Sequence, residues 1–284
     1  MGASDVVPAD YPQQIGQWQA QRLARLLAPD GWLSLTGFGW LAPGANRIGS
    51  GADNDIVLES GPARLGVVTL TGSGDTWIRL DPGSAARVDG KALRQARLFD
   101  DAGGRTPSEV RFGTASLYVL HRDGRKAVRV RDDDAAARVP FSGLDYFPLD
   151  PAWRVLADWH PYASPVKLSL NRRLGSVGTV DVPGAARFSL LGSTHTLLPY
   201  LERPGADLFF VLTDATAGAE TCATARFLLA APPVDGKLVL DFNKAHNPPS
   251  AFTPYANCPV APPQNTLALH LSAGEKRYRG HGVA

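Results

Sequence analysis

Side chains suited to acid–base and hydrogen-bonding chemistry are concentrated in residues 241–265, which read DFNKAHNPPSAFTPYANCPVAPPQN. This segment combines amides, hydroxyls and one thiol with six prolines. Proline fixes the backbone φ angle and removes a hydrogen-bond donor, so we predict a rigid loop rather than a helix or a central strand. Because loops on a stiff scaffold often carry binding and catalytic groups, we interpret this loop as the functional one.

Two carboxylates are candidates for acid–base catalysis, since each lies next to an apolar segment predicted to be a strand. Asp241 ends the segment 237–241 and Glu220 precedes the segment 226–229, so we expect both at one rim of a sheet. Two carboxylates in a partly desolvated cleft acquire different pKa values and divide the roles of acid and base. The alternative is structural, with each carboxylate accepting hydrogen bonds from loop amides or pairing with Arg226.

Three amides of the loop, Asn243, Asn247 and Asn265, are candidate ligand-binding residues. Each amide offers two donors and one acceptor, which suits the orientation of a polar substrate or the stabilisation of an oxyanion. The alternative is that the same amides bind the loop backbone and hold its shape without any ligand.

Cys258 is a candidate nucleophile, with His246 as its base. A nucleophilic cysteine needs a lowered pKa and a base within hydrogen-bonding reach, and the sequence shows neither, so a buried inert thiol is the alternative. The six histidines form no HxH or HxxxH pair and no CxxC pair occurs, so no metal site is indicated unless distant residues assemble one. The sequence also lacks a glycine-rich phosphate loop and a dinucleotide fingerprint, and we expect no cofactor.

The pattern of apolar residues predicts one helix followed by β-structure. Apolar residues from Ile15 to Leu27 have helical spacing, and residues 29–31 (PDG) end the helix. The rest of the chain alternates short apolar or β-branched segments with turn clusters, which is typical of antiparallel sandwiches and barrels. The predicted strands are residues 65–71, 77–80, 110–111, 117–120, 127–130, 166–170, 178–182, 187–191, 208–212, 226–229, 237–241 and 267–271.

We therefore predict a mostly β protein in three parts. Residues 1–29 hold the helix, residues 30–135 form a β-sandwich, and residues 136–284 form a second antiparallel β-barrel or sandwich that carries the proline-rich loop. The polar segment 132–137 (DDDAAA) is the predicted linker between the two β domains.

Residues 47–58, RIGSGADNDIVL, resemble the opening of a forkhead-associated sandwich. At the position of that family's phosphate-binding arginine stands Ser50, and the segment 61–66 (GPARLG) replaces its second phosphate-binding segment. Phosphothreonine recognition needs charge-assisted donors. The resemblance therefore implies a sandwich retained as a scaffold, and we expect no phosphopeptide binding. An unphosphorylated partner, or the second domain, is the alternative occupant of this face.

The chain resembles a bacterial family of unknown function, the domain-of-unknown-function family numbered 1684. The resemblance is strongest in residues 241–265, in ETCATARFLL (residues 220–229) and in AGEKRY (residues 273–278). It spans almost the full chain, including GWL (residues 31–33), the IGS…NDIVL stretch (residues 48–58) and RVRD (residues 129–132). It adds Arg226, Thr253 and Glu275 to the candidate ligand-binding residues. The chain departs from the usual pattern at four positions, and the resemblance names no reaction. These positions are Cys222, Ala225, His246 and Ser250.

Composition limits the function further. The 284 residues are 44% hydrophobic with a formal net charge of +2, which is too small a charge for a nucleic-acid footprint. No signal peptide or membrane-spanning segment is evident, and two cysteines are too few for a secreted disulfide framework, so we expect a cytoplasmic protein without membrane contact. Our hypothesis is binding, and acid–base transformation, of a small polar molecule by a cofactor-independent enzyme. A non-catalytic interaction or structural module is the alternative.

Overall fold

The computed structural model describes residues 6–136, 141–201 and 205–280. The predicted fold class is confirmed, because the chain is mostly β with several antiparallel sheets and an amino-terminal helix. The chain divides into two compact units. One is Leu26–Phe141, and the other combines Met1–Arg25 with Ser142–Ala284. The helical segment that the sequence prediction set apart thus shares a unit with the carboxy-terminal β-structure.

Helix α1 spans Tyr11–Leu27. Its apolar side is buried at Tyr11, Ile15 and Leu26, as the helical spacing predicts. The helix ends just before the predicted breaker residues, where the amide of Gly31 donates to the carbonyl oxygen of Ala28 at 2.8 Å. Among the described residues, none of the helices combines the length and the apolar character that a membrane crossing requires.

The Leu26–Phe141 unit is built from two five-stranded sheets around one apolar core. One sheet has the order β1-β10-β9-β8-β6 and the other β3-β2-β4-β5-β7, with β2 and β3 parallel and the other pairs antiparallel. The strands are β1 Leu35–Trp40, β2 Gly44–Gly49, β3 Ile56–Val57, β4 Gly66–Leu70, β5 Thr76–Leu80, β6 Arg87–Val88, β7 Gln95–Leu98, β8 Val110–Phe112, β9 Ala115–Arg122 and β10 Arg125–Asp132.

Alternation and turn chemistry explain these strands. In β5, Ile78 is buried in the core while its neighbours Trp77 and Arg79 are exposed, which is the period of two expected for a sheet with one face in the core. The Asp123-Gly124 pair turns β9 into β10 with φ angles of 52° and 73°, a left-handed conformation that glycine and aspartate tolerate.

The other unit contains a four-stranded sheet of order β13-β12-β11-β16 and a two-stranded sheet of β14 and β15. Their core includes Phe188, Phe210, Leu228, Leu240 and Phe242. The strands are β11 Arg154–Asn171, β12 Val177–Leu190, β13 Ser193–Leu197, β14 Leu208–Leu212, β15 Arg226–Ala230 and β16 Lys237–Asp241.

Four predicted strands change in this unit. The predicted strand 166–170 is only the end of β11, and the predicted strands 178–182 and 187–191 belong to the single strand β12, which ends at Leu190. The predicted strand 267–271 is wrong. Among the described residues, its backbone makes only two hydrogen bonds to the neighbouring segment 213–215, from the Leu267 amide to the Thr213 carbonyl oxygen and from the Ala215 amide to the Leu269 carbonyl oxygen. At Leu271 side chains replace a strand partner, because the Leu271 amide donates to the Asp214 carboxylate and the Leu271 carbonyl oxygen accepts from Arg226.

The predicted linker, residues 132–137, begins at the last residue of β10. The Asp132 carboxylate accepts hydrogen bonds from the Ser60 hydroxyl at 2.9 Å and from the Asp134 amide at 3.0 Å, so the start of this acidic segment is tied to its own unit. Residue 137 lies outside the described residues.

Candidate functional site

The predicted functional loop, residues 241–265, is mostly buried, although connecting segments usually run over a protein surface. It contains three short 3₁₀ turns, Phe242–Lys244, Pro249–Ala251 and Pro263–Asn265. Proline at the start of the second and third turns sets φ without leaving an unsatisfied amide donor. A buried loop must satisfy its backbone polar groups within the protein, and the predicted site residues do much of this.

Asn265 binds two neighbouring backbone segments through its side chain. Its Oδ1 accepts from the Leu198 amide at 2.8 Å, and its Nδ2 donates to the carbonyl oxygens of Leu198 at 2.8 Å and Val211 at 2.9 Å. The Asn265 side chain therefore links the backbones at Leu198 and Val211 by hydrogen bonds, as a strand between them would. Because Asn265 is buried and both ends of its amide bind the backbone, its role is to hold the fold rather than to bind a ligand.

Glu275 forms a buried ion pair with α1. Its Oε1 accepts from Arg22 Nε at 2.9 Å, and its Oε2 accepts from the backbone amide of Asn247 at 2.8 Å and from Asn247 Nδ2 at 3.1 Å. Arg22 Nη2 also donates to the Asn247 carbonyl oxygen at 2.9 Å. The side chains of Arg22 and Glu275 are 9% and 0% exposed, so this network lies inside the protein. Glu275 and Asn247 thus anchor the loop to the helix.

Asp241 makes a second link between the loop and α1. The Tyr11 hydroxyl donates to Asp241 Oδ1 at 2.7 Å and accepts from Asn243 Nδ2 at 2.9 Å. Asn243 Nδ2 also donates to the Asp150 carbonyl oxygen at 2.9 Å. Burial and the adjacent Asp241 charge raise the pKa of the Tyr11 phenol far above its usual value, so the phenol stays protonated and can donate.

Arg226 is fully enclosed. Its Nη1 donates to Asp214 Oδ2 at 3.0 Å and to the Leu271 carbonyl oxygen at 3.1 Å, and its Nη2 donates to the Ala273 carbonyl oxygen. Burial lowers the pKa of the Arg226 guanidinium, and the Asp214 charge opposes that effect. Asp214 also accepts from the Thr216 hydroxyl at 2.6 Å. Arg226 therefore organises the core.

The thiol and imidazole predicted as a nucleophile and its base are separate features. His246 Nδ1 lies 3.1 Å from the Lys244 carbonyl oxygen, and the centroids of the His246 and Trp18 rings are 5.9 Å apart. Burial, with the Arg22 charge, lowers the pKa of His246 to about 4. In the described part of the chain no hydrogen bond joins His246 to Cys258, which is buried and forms no disulfide with Cys222.

Glu220 has a different setting from the other predicted site residues. Its side chain is 45% exposed and lies 2.9 Å from His270 Nε2. It borders a cavity of about 360 Å³ whose walls also include Tyr146 and three cationic side chains. Asp241 is not part of these walls, so the structure does not bring the two carboxylates to one cavity. The cavity is lined by Asp145, Tyr146, Glu220, Lys276, Arg277 and Arg279.

Two further predicted residues complete the description. Thr253 is buried, and its hydroxyl accepts from the Tyr255 amide at 3.2 Å. Asn243 borders a second cavity of about 40 Å³, which is too small for an organic ligand. Residues 6–136, 141–201 and 205–280 hold no group of three or more His, Cys, Asp or Glu side chains placed to bind a metal ion.

Comparison with known proteins agrees with part of the sequence resemblance. Residues 139–276 match the model of the family described as "Protein of unknown function (DUF1684)". The solution NMR structure of an uncharacterized protein of Haloarcula marismortui is 27% identical to this chain, covers 48% of this chain and 77% of its own, and has a TM-score of 0.41. No curated protein is similar enough to match. The matched family and the archaeal protein carry no assigned activity that can be transferred to this chain.

Proposed function

We propose that the unit containing Ser142–Ala284 binds a small polar anion in the cavity beside Glu220. The observation that carries this proposal is the charge of the cavity walls, where Lys276, Arg277 and Arg279 face only two carboxylates, Asp145 and Glu220. Within the described residues, Arg279 is exposed and has no ion-pair or hydrogen-bond partner. A cation without a counter-ion beside a concave surface favours an anionic ligand.

The acid–base part of the proposal rests on the contacts of Glu220. The His270 ring lies between two polar side chains. Its Nε2 is 2.9 Å from the Glu220 carboxylate, and its Nδ1 is 3.0 Å from the Ser272 hydroxyl. A carboxylate and an imidazole in hydrogen-bonding contact can pass a proton between a bound molecule and solvent. Glu220 is therefore our candidate acid–base residue, without a cofactor, and Asp241 is assigned to the scaffold.

Binding of citrate, measured by isothermal titration calorimetry, tests the location and charge of this site. Arg279→Gln is expected to weaken binding about two- to fivefold, and Glu220→Gln to strengthen it by a similar factor, because exposed charges contribute up to about 1 kcal/mol each. Arg173→Gln is the matched control, since Arg173 is an exposed cation of the same unit that does not line the cavity. Equal effects of Arg279→Gln and Arg173→Gln, or no citrate binding, would refute the proposal.

A structural or interaction module is the second candidate, and the internal pairing of the loop favours it. Asn243, Asn247, Asn265 and Glu275 spend their hydrogen bonds within the protein, as expected of a rigid scaffold. The two candidates differ at the cavity, because a pure scaffold predicts no anion binding there. We also propose that the protein is cytoplasmic and of bacterial origin.

For the Leu26–Phe141 unit we propose a forkhead-associated-like scaffold that does not recognise phosphothreonine. The Ser50 hydroxyl donates to the Gly61 carbonyl oxygen at 2.8 Å, and the nearby cations Arg47 and Arg64 are paired with Asp55 and Asp53. These contacts support a turn held by its own side chains. A phosphothreonine peptide that binds the full chain at micromolar concentration, and loses binding when dephosphorylated, would contradict this proposal.

A further inference from the structure

A cleft in the Leu26–Phe141 unit has the size and chemistry of a small-molecule site. Its volume is about 810 Å³, within the range of roughly 300–1,000 Å³ found for ligand pockets. The β1–β2, β4–β5 and β9–β10 turns border it, so it lies at the Gly44 end of β2, whereas Ser50 follows the other end of that strand. The cleft is therefore distinct from the face that resembles a phosphopeptide site.

The rim of this cleft is held in place by side-chain hydrogen bonds. The buried Asn46 accepts from the Ala42 amide at 2.9 Å and donates to the carbonyl oxygens of Ala42 at 2.9 Å and Val68 at 3.2 Å. In the β4–β5 turn, the Asp75 amide donates to the Thr71 hydroxyl at 3.0 Å. A rim fixed before binding reduces the entropy lost when a ligand is ordered.

The two neighbouring cations Arg125 and Lys126 have different roles. Lys126 Nζ lies 2.7 Å from the Asp100 carboxylate and donates to the Gly74 carbonyl oxygen at 2.6 Å, so its charge is neutralised within the wall. Arg125 stacks on the Trp40 ring with 4.2 Å between the guanidinium carbon and the ring centroid. Among the described residues the Arg125 guanidinium has no carboxylate partner. Its edge is available to bind an anion.

Much of the remaining wall is apolar, although Thr71 and His121 also border the cleft. Its apolar residues include Leu41, which follows β1, Leu70 at the end of β4, and Pro43 from the turn between β1 and β2. An apolar surface beside one uncompensated guanidinium selects a molecule with both characters. We propose that this cleft binds a small organic carboxylate, with the carboxylate on Arg125 and an attached ring or chain against Leu41, Pro43 and Leu70.

A matched pair of probes separates charge from apolar contact. 3-Phenylpropanoate and 3-phenyl-1-propanol share the ring and chain and differ at the head group. In NMR titrations of the full-length protein, the carboxylate is expected to bind about tenfold more tightly than the alcohol, since an ionised hydrogen-bonded pair contributes on that scale. Arg125→Gln should remove this preference. Arg94→Gln is the control, because Arg94 is an exposed cation of the same unit that does not line the cleft.

A second variant tests the position of the apolar part. Ala42 is exposed on the rim, so Ala42→Trp is expected to fill the cleft without disturbing the core and to reduce binding of both probes. Equal binding of the two probes, or equal effects of Arg125→Gln and Arg94→Gln, would overturn the proposal. Loss of binding in Arg279→Gln would also overturn the proposal, because the carboxylate would then bind in the other unit. The absence of binding at probe concentrations up to about 10 mM would overturn it as well.

Discussion

The buried pair of Arg22 and Glu275 provides the strongest test of the structural assignment of the loop. Arg22→Met would leave the Glu275 carboxylate, whose side chain is 0% exposed, without its cation. Removing one partner of a buried ion pair typically destabilises a protein by about 3–5 kcal/mol. Glu275 would keep its two hydrogen bonds from Asn247, which favours the lower end, about 3 kcal/mol.

The double variant Arg22→Met, Glu275→Met distinguishes an unpaired charge from lost packing. Replacing both members of a buried pair by apolar residues is often close to neutral. The double variant is therefore expected to be more stable than Arg22→Met alone, with a coupling energy of about 1–3 kcal/mol. Arg25→Met is the matched control, since Arg25 lies one turn further along α1 and is exposed.

Thermal unfolding followed by circular dichroism, together with urea titration, measures these effects. For a unit of this size 1 kcal/mol corresponds to about 2–4 °C, so Arg22→Met should lower the melting temperature of the carboxy-terminal transition by roughly 6–12 °C. Because the two units can unfold separately, the transitions must be resolved before free energies are assigned. If Arg22→Met and Arg25→Met melt together, or if the double variant is the least stable of all, the reasoning fails.

Two other predictions concern titration and the polar loop. The pKa of His246 is lowered to about 4 from an ordinary 6.5, so its neutral ring stabilises the folded state above about pH 6.5, and this stability is lost as the pH falls through about 4. Between pH 7 and 4 the free energy of unfolding by urea should fall about 3 kcal/mol less in His246→Gln than in the parent, at about 1.4 kcal/mol for each pH unit between 6.5 and 4, and parallel curves would contradict this. Asp241→Asn removes the charged acceptor of the Tyr11 hydroxyl and should cost about 1–2 kcal/mol without changing citrate binding. Unchanged stability with weaker citrate binding would return Asp241 to the functional site.

The sequence predicts the β-class and the helix well because these depend on local patterns. The apolar spacing of α1 and the alternation of β5 are visible within a few residues. The error at residues 267–271 has another cause. That segment is apolar enough for a strand, but its backbone pairs only briefly with residues 213–215, and at Leu271 its partners are the side chains of Asp214 and Arg226, which local patterns do not identify.

Arg22 shows which signal could have revealed part of the network. It lies four residues after Trp18 and four before Leu26, so it stands on the apolar side of the amphipathic helix. A charged residue at such a position needs a buried partner of opposite charge. Its partner Glu275 is 253 residues away, and no spacing rule joins positions so far apart. The need for a carboxylate was predictable from the sequence, but the identity of that carboxylate was not.

The predicted site residues are of two kinds, buried and exposed, and the two kinds differ in their ability to bind a ligand. Asn247, Asn265 and Glu275 are polar residues inside the protein, and their hydrogen bonds are made to other groups of the protein. Arg226 is also buried, and both of its terminal nitrogens donate to protein oxygens. The types of these buried residues match those of a catalytic site because a buried loop and a bound substrate make the same demand for donors and acceptors. Glu220 instead borders a cavity whose walls include Arg279, a cation that has no ion-pair or hydrogen-bond partner among the described residues. Ligand chemistry in this unit should therefore be sought at Glu220 and Arg279, where a change of charge alters binding without removing a contact that supports the fold.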